Sequence, residues 1–301
     1  MRRLAALLLS ALSLAACAPH AAEVRPNALE QISPTLGLDV AAARQAAISF
    51  VEAYARADED GAAALRTFAG TPKMLRWAEW VGVQAEQFPG EIIGRADVER
   101  VAFVGFLRIP AADALGAHVD LDATVSLTFV PEEGEPARRV RVFRGPVALF
   151  RRDLADWGVL NAIRDGLSMD DEIHLVDQRA SARGVSVELD SVFTFAPEWS
   201  VNLVISNGTR RRLALFPPDA AIVDRAGGRV DGLAGTPNLR RIPAGTRRMA
   251  AIVTFPALGS VRGRTLVLPV RLGGGREVRF EFPLGRLLRL SGDPSPSPSP
   301  G

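Results

Sequence analysis

FVEAYARADEDGAAALRTFA, residues 50–69, decides how the first half of the chain folds. Extended back to Val40, it carries Ala43, Ala47, Phe50, Val51 and Tyr54 at three- and four-residue spacing. That period predicts an amphipathic helix over 40–58. Asp60-Gly61 reads as its break, and a second helix is expected over 62–68. A third is expected around Trp77 and Trp80. After Pro89-Gly90 the period changes to two. VERVAFVGFLRI (98–109), VDLDATVSLTFV (119–130), RRVRVFRGPVALFRRD (138–153) and WGVLNA (157–162) alternate apolar and polar residues between Pro, Gly and acidic turns. They predict an antiparallel meander. Helices followed by such a sheet make an α+β domain over 41–177.

The order resembles the cone-shaped fold shared by nuclear transport factor two, ketosteroid isomerase and many bacterial envelope proteins. Residues 50–69 are similar to that family's first helix, its Asp turn and its second helix. GPVALFRRDLADWGVLNA (145–162) is similar to its last two long strands, with a Trp after the turn. The likeness covers roughly 41–165 and implies a curved sheet behind N-terminal helices. The family's isomerases set a buried tyrosine hydroxyl against a developing oxyanion and a carboxylate base near the substrate carbon. Where the resemblance implies the tyrosine, eight residues before the Asp of the turn, this chain has Phe50. Tyr54, the only tyrosine, lies one helical turn later. Where the base would fall, TPKMLRWAEW (71–80) offers Arg76 and Glu79, which read as solvated helix charges. The expectation is a protein that is not an enzyme. The alternative is a small-molecule carrier or isomerase-like enzyme whose cone cavity is lined by Phe50, Tyr54, Phe68, Trp77, Trp80 and Phe106. Against that alternative, the same aromatics are expected to fill the core.

The second half reads as all β. Seven short strand-like runs, 185–195, 200–206, 212–216, 220–224, 248–255, 265–270 and 277–284, are split by Asn-Gly, Pro-Pro and Gly-rich turns. They predict a β-sandwich over 184–289. WSVNLVISNGTRRRL (199–213), AAIVDRAGG (220–228) and IPAGTRRMAAIVTFP (242–256) together resemble the immunoglobulin-like domains of secreted bacterial lipoproteins. That resemblance implies a binding or assembly module. NGT (207–209) matches a glycosylation sequon by letter only, and Asn207-Gly208 reads as a hairpin turn.

Charge divides the chain in the same place. Residues 41–177 carry 15 basic and 22 acidic side chains, and 184–289 carry 16 basic and 8 acidic. The sign change sets an expected boundary at DQRASARG, 177–184. Arg210, Arg211 and Arg212, Arg240 and Arg241, and Arg247 and Arg248 decorate turns of the basic half. Such a face suits anionic lipid headgroups or an acidic wall polymer, or it pairs with the acidic first half. DDEIHLVD (170–177) groups carboxylates with His174 but without a tight metal motif, and reads as a solvated connector. His118 has no partner at catalytic or metal spacing. There is no phosphate-binding Gly loop and no G-x-S-x-G. No cofactor and no metal are expected.

The N-terminus supplies the location. Met1-Arg2-Arg3 is positive, and 4–14 is apolar apart from two serines. That run is too short for a mature span, which needs about 20 residues. Leu14-Ala15-Ala16-Cys17 resembles the lipobox of bacterial lipoproteins. It implies a signal peptide over 1–17 and lipidation of Cys17, the only cysteine. Residues 18–40 are then a tether, and 290–301, ending in GDPSPSPSPG, an extended Pro/Ser tail. The expected protein is an exported lipoprotein on the outer face of the cytoplasmic membrane, or on an outer membrane. Its partners are the membrane, another envelope protein or an anionic polymer. Export argues against nucleic acid.

Overall fold

The computed structural model describes residues 39–56, 58–87, 92–109, 114–129, 138–151, 156–164, 166–195 and 198–284. The expected signal peptide with Cys17, all of the expected tether except Asp39 and Val40, and the expected Pro/Ser tail lie outside the described residues.

Three helices come first. α1 (Val40–Arg56) buries Ala43, Ala46, Ala47, Phe50 and Val51 along one face, as its apolar period dictates. Asp39 caps it, its Oδ1 accepting from the Ala42 amide at 2.9 Å. α2 (Glu59–Phe68) starts three residues earlier than expected, so Asp60-Gly61 lies inside it. The break is at Asp58, whose Oδ1 accepts from the Gly61 amide at 2.6 Å. Gly61 is needed for close approach: a Cβ there would sit 2.5 Å from the Ala53 carbonyl oxygen of α1. α3 (Pro72–Gln87) starts on Thr71, whose hydroxyl accepts from the Met74 amide at 3.1 Å.

β1 (Ile92–Ile109), β2 (Ala114–Phe129), β3 (Arg138–Arg151), β4 (Trp157–Arg164) and β5 (Leu167–Ser168) follow as an antiparallel meander in chain order. Register shifts interrupt the β1–β2, β2–β3 and β3–β4 ladders. Shifts of this kind bend and twist a sheet. Val101, Phe103, Val119, Leu121, Phe143, Leu149 and Val159 bury one face against the helices.

A short helix, α4 (Met169–Glu172), leads into two five-stranded antiparallel sheets. The first runs β12 (Ala234–Gly235), β13 (Met249–Pro256), β8 (Glu198–Asn207), β7 (Val185–Phe193) and β6 (Ile173–Ala182). The second runs β11 (Arg229–Asp231), β10 (Ala221–Asp224), β14 (Arg264–Leu272) and β15 (Arg276–Pro283), with β9 (Leu213–Ala214) also on β14. Val187, Leu203, Val253, Leu268 and Phe280 join both sheets in one core.

β6 was not expected. Residues 173–177 were read as connector and 177–184 as a domain boundary, yet β6 pairs with β7 along its length. The charge reversal therefore falls on a hairpin. Its two turn residues, Arg183 (φ 51°) and Gly184 (φ 79°), take the left-handed conformation that a tight hairpin requires. Asn207-Gly208 is not a hairpin either. β8 pairs with β7 and β13, and the chain crosses from there to β9 in the other sheet.

The β13–β8–β7–β6 sheet is apolar on both faces. Leu203, Ile205, Ala251 and Val253 point into the second core. Val204, Ala250, Ile252, Phe193 and Phe195 belong to the first. Alternation along the strands thus lets one sheet serve as a wall of both cores.

Candidate functional site

The polar chemistry gathers where α3 meets this shared wall. Two strand irregularities prepare it. The β6–β7 ladder shifts register between Leu175 and Gln178, and Asp177 there adopts φ 46°. The β7–β8 ladder shifts between Leu189 and Ser191, at Asp190. Each bulge aims a carboxylate at Arg76 of α3. Arg76 Nη1 donates to Asp190 Oδ1 and lies 3.2 Å from Asp177 Oδ1, while its Nε is 3.2 Å from Glu79 Oε2. Trp80, one helical turn further on, donates its indole N–H to Asp190 Oδ2 at 2.6 Å. Ser191 Oγ donates to the same oxygen at 3.0 Å, and Asn202 Nδ2 donates to Ser191 Oγ at 3.0 Å. Asp190, Ser191 and Asn202 are all buried. Burial alone pulls the Arg76 pKa down, but Asp190 and Asp177 outweigh it and hold the guanidinium above its ordinary value. Arg76 was expected to be a solvated helix charge. Its side chain is 28% exposed and clamped, because an otherwise unpaired buried Asp190 would be costly.

A cleft of about 340 Å³ opens beside this clamp, between Lys73, the 170–174 segment, Thr194, Trp199 and the loop 258–262. Lys73, the only lysine in the chain, bonds the Asp170 carbonyl and lies 3.4 Å from its carboxylate. Thr194 donates its hydroxyl to Glu172 Oε2 at 2.6 Å and stands 3.4 Å from His174 Nε2. Burial pushes the His174 pKa down and Lys73 adds to this, with Asp171 opposing. The acidic segment is thus tied into the wall and does not float as a solvated connector. Thr194, Glu172 and His174 thus form one hydrogen-bonded group on the cleft wall. Among the described residues no group of three or more His, Cys, Asp or Glu side chains could hold a metal ion. His118 stands on β2 between Gly105 and Ala148.

The six candidate aromatics divide. Phe50 is buried, with its ring 6.4 Å from Phe68, 6.0 Å from Trp77 and 5.3 Å from Phe143. Tyr54 stacks on Trp77 at 5.6 Å and meets Phe143 edge-on at 5.4 Å. These five rings, from α1, α2, α3 and β3, pack against one another. Trp80 belongs to the clamp, and Phe106 pairs with Phe103 at 5.2 Å.

Arg210, Arg211, Arg212, Arg247 and Arg248 are all exposed at the other end of β8. That end lies about 26 Å along the strand from Trp199, at ~3.3 Å per residue. One buried residue gathers them. Asn207 Nδ2 donates to the Arg211 and Pro243 carbonyls, both at 2.8 Å, and the Asn207 amide donates to the Thr246 carbonyl at 2.7 Å. Asn207 Oδ1 accepts from the Thr209 hydroxyl at 2.7 Å. Of the five arginines only Arg248 meets a carboxylate among the described residues, Glu188 at 3.7 Å. None pairs with a described acidic residue of 41–177. Asn-Gly reads in sequence as a turn signal, which masks the role of the Asn207 side chain in tying these loops.

The fold is therefore mostly β, with antiparallel sheets and a few helices. No family model matches the chain, and no curated protein resembles it closely enough to count. Among the described residues no helix is long and apolar enough to cross a membrane.

Proposed function

We propose that this chain is an exported envelope lipoprotein, anchored through lipid on Cys17, that works as a non-enzymatic binding or assembly accessory at an anionic surface. The first part is read as a cone-shaped domain like that of nuclear transport factor two, and the second as an immunoglobulin-like sandwich. Three helices before a five-stranded meander support the first likeness. Two sheets over one core support the second.

The observation that carries the proposal is the ring cluster of Phe50, Tyr54, Phe68, Trp77 and Phe143. An isomerase-like cone needs a hydroxyl and a carboxylate facing a substrate-sized space. Here the Tyr54 ring lies against Trp77, and among the described residues no carboxylate bonds its hydroxyl. What remains available for recognition is the arginine end, preorganised by Asn207 and left uncompensated. Arg side chains near an anionic surface contribute about 1 kcal/mol each.

The anchor is tested by detergent phase partition of envelopes. Cys17→Ser should leave the detergent phase, since stable anchoring needs more than one acyl chain. A Cys17→Ser protein that still partitions like the parent removes the lipoprotein reading.

A further inference from the structure

We propose that Arg225, Arg262 and Arg264, around the Ser260 loop, form a receptor for a tetrahedral phosphate-type oxyanion. This goes beyond the surface contact assigned above and uses none of its residues. The three arginines line one depression of about 550 Å³ together with Asp224 and Ser260. It lies at the cleft end of the molecule, since Ser260 and Arg262 also line the cleft that holds Lys73.

Two hydrogen-bonded turns carry the three arginines, and the Arg264 guanidinium is itself bonded. Asp224 accepts from the Ala226 and Gly228 amides at 2.9 and 2.8 Å, which shapes the turn that carries Arg225. Its Oδ1 is thereby committed to its own backbone. The second turn is closed by the Ser260 hydroxyl, which accepts from the Arg262 amide at 3.1 Å. Arg264 Nε donates to the Ser260 carbonyl at 2.6 Å. Gly263 joins the two turns. It sits at φ 72°, and a Cβ there would lie 3.2 Å from Arg225 Nε. Only a glycine lets that guanidinium lie so close to the loop without displacement.

The charge is unbalanced. Among the described residues no carboxylate comes within ion-pair distance of Arg225, Arg262 or Arg264, whereas Arg229, Arg271 and Arg279 each have one. Three forked cations beside a single, internally bonded carboxylate match an acceptor carrying several oxygens and more than one negative charge. Phosphate suits this best, because guanidinium groups bind its oxygens in pairs.

The test titrates inorganic phosphate into the full-length protein in detergent micelles, followed by phosphorus NMR and calorimetry. Saturable binding is expected. Arg225→Glu and Arg262→Glu should each weaken it by about tenfold or more, as loss of a charge-assisted contact and its reversal require. Their melting temperatures should stay near the parent's, since both side chains are exposed. Arg210→Glu combined with Arg211→Glu and Arg212→Glu should leave phosphate binding unchanged. A second arm separates the sources of the group, using unlipidated protein in which Arg210, Arg211, Arg212, Arg247 and Arg248 are all changed to Glu, with vesicles of phosphatidic acid or of phosphatidylglycerol. Capture by phosphatidic acid alone, lost in Arg262→Glu, assigns the site to a monoester headgroup. Binding of free phosphate without vesicle capture assigns it to a soluble phosphate. No saturable phosphate binding, or equal binding by parent and Arg262→Glu, overturns the proposal.

Discussion

Midway along β8, opposite Asn202 and Leu203, one arginine is surrounded by acids. At the Asn207 end, only one of five arginines meets an acid. Arg76 meets Asp190, Asp177 and Glu79, and two bulged strands supply the first two of these. Arg210, Arg211, Arg212, Arg247 and Arg248 have only Glu188, and their loops are tied through backbone carbonyls by Asn207. The same residue type thus serves two purposes, decided by its surroundings. Where charge is matched inside the chain it joins α3 to the wall between the cores. Where charge is left unmatched, the fold uses it little: Arg211 Nη1 donates to the Gly273 carbonyl at 2.9 Å, and the other guanidinium groups reach into solvent.

That contrast can be attacked first through the core on which the clamp rests. Phe50 is 1% exposed and touches three other rings. Phe50→Ala should lower unfolding stability by about 4 kcal/mol, read by denaturant titration. A loss below about 1 kcal/mol would mean a loosely filled space, as a ligand cavity would be.

The clamp comes next. Asp190→Ala leaves Arg76 facing a buried gap and Trp80 without its acceptor. It should cost about 3 kcal/mol. Arg76→Met added to it should cost little more, giving a coupling of about 1 kcal/mol or above in a double-mutant cycle. Additive losses would mean that the pair does not act as a unit.

A smaller effect tests the cleft by pH. The His174 pKa is lowered in the folded chain, so the unfolded chain takes up the proton first as pH falls. Stability should therefore decline as pH drops through the ordinary imidazole value of about 6.5. The decline continues until the folded-state pKa is reached. His174→Gln should flatten that part of the curve. Lys73, Asp170, Asp171 and Glu172 face the same cleft, and only the difference between parent and variant isolates the imidazole. Parallel curves would contradict a half-buried His174 whose protonation folding disfavours.

The helices and long strands were legible because each has one apolar face, and period alone reveals a face. The Asp60-Gly61 break was misplaced because a glycine chosen for close helix contact looks the same in sequence as one chosen to end a helix. β6 was hidden by its own edges. His174, Asp177, Gln178 and Arg179 on it meet Thr194, Arg76, the Pro283 carbonyl and Ser186, so its alternation is blurred. The clamp was not legible at all. Arg76 and Asp190 are 114 positions apart, and their meeting depends on two bulges that leave no local signature. The arginine end was legible as composition, but not the buried Asn207 that assembles it.

The role at an anionic surface is tested most directly by co-sedimentation of unlipidated protein with phosphatidylglycerol vesicles over a salt series. The parent should bind at low ionic strength and lose most of that binding by physiological salt, where charges are screened within about 8 Å. The variant with Arg210, Arg211, Arg212, Arg247 and Arg248 all changed to Glu should not bind, with its melting temperature nearly unchanged. Binding that survives the five reversals, or that ignores salt, would contradict a recognition role for this end of the molecule.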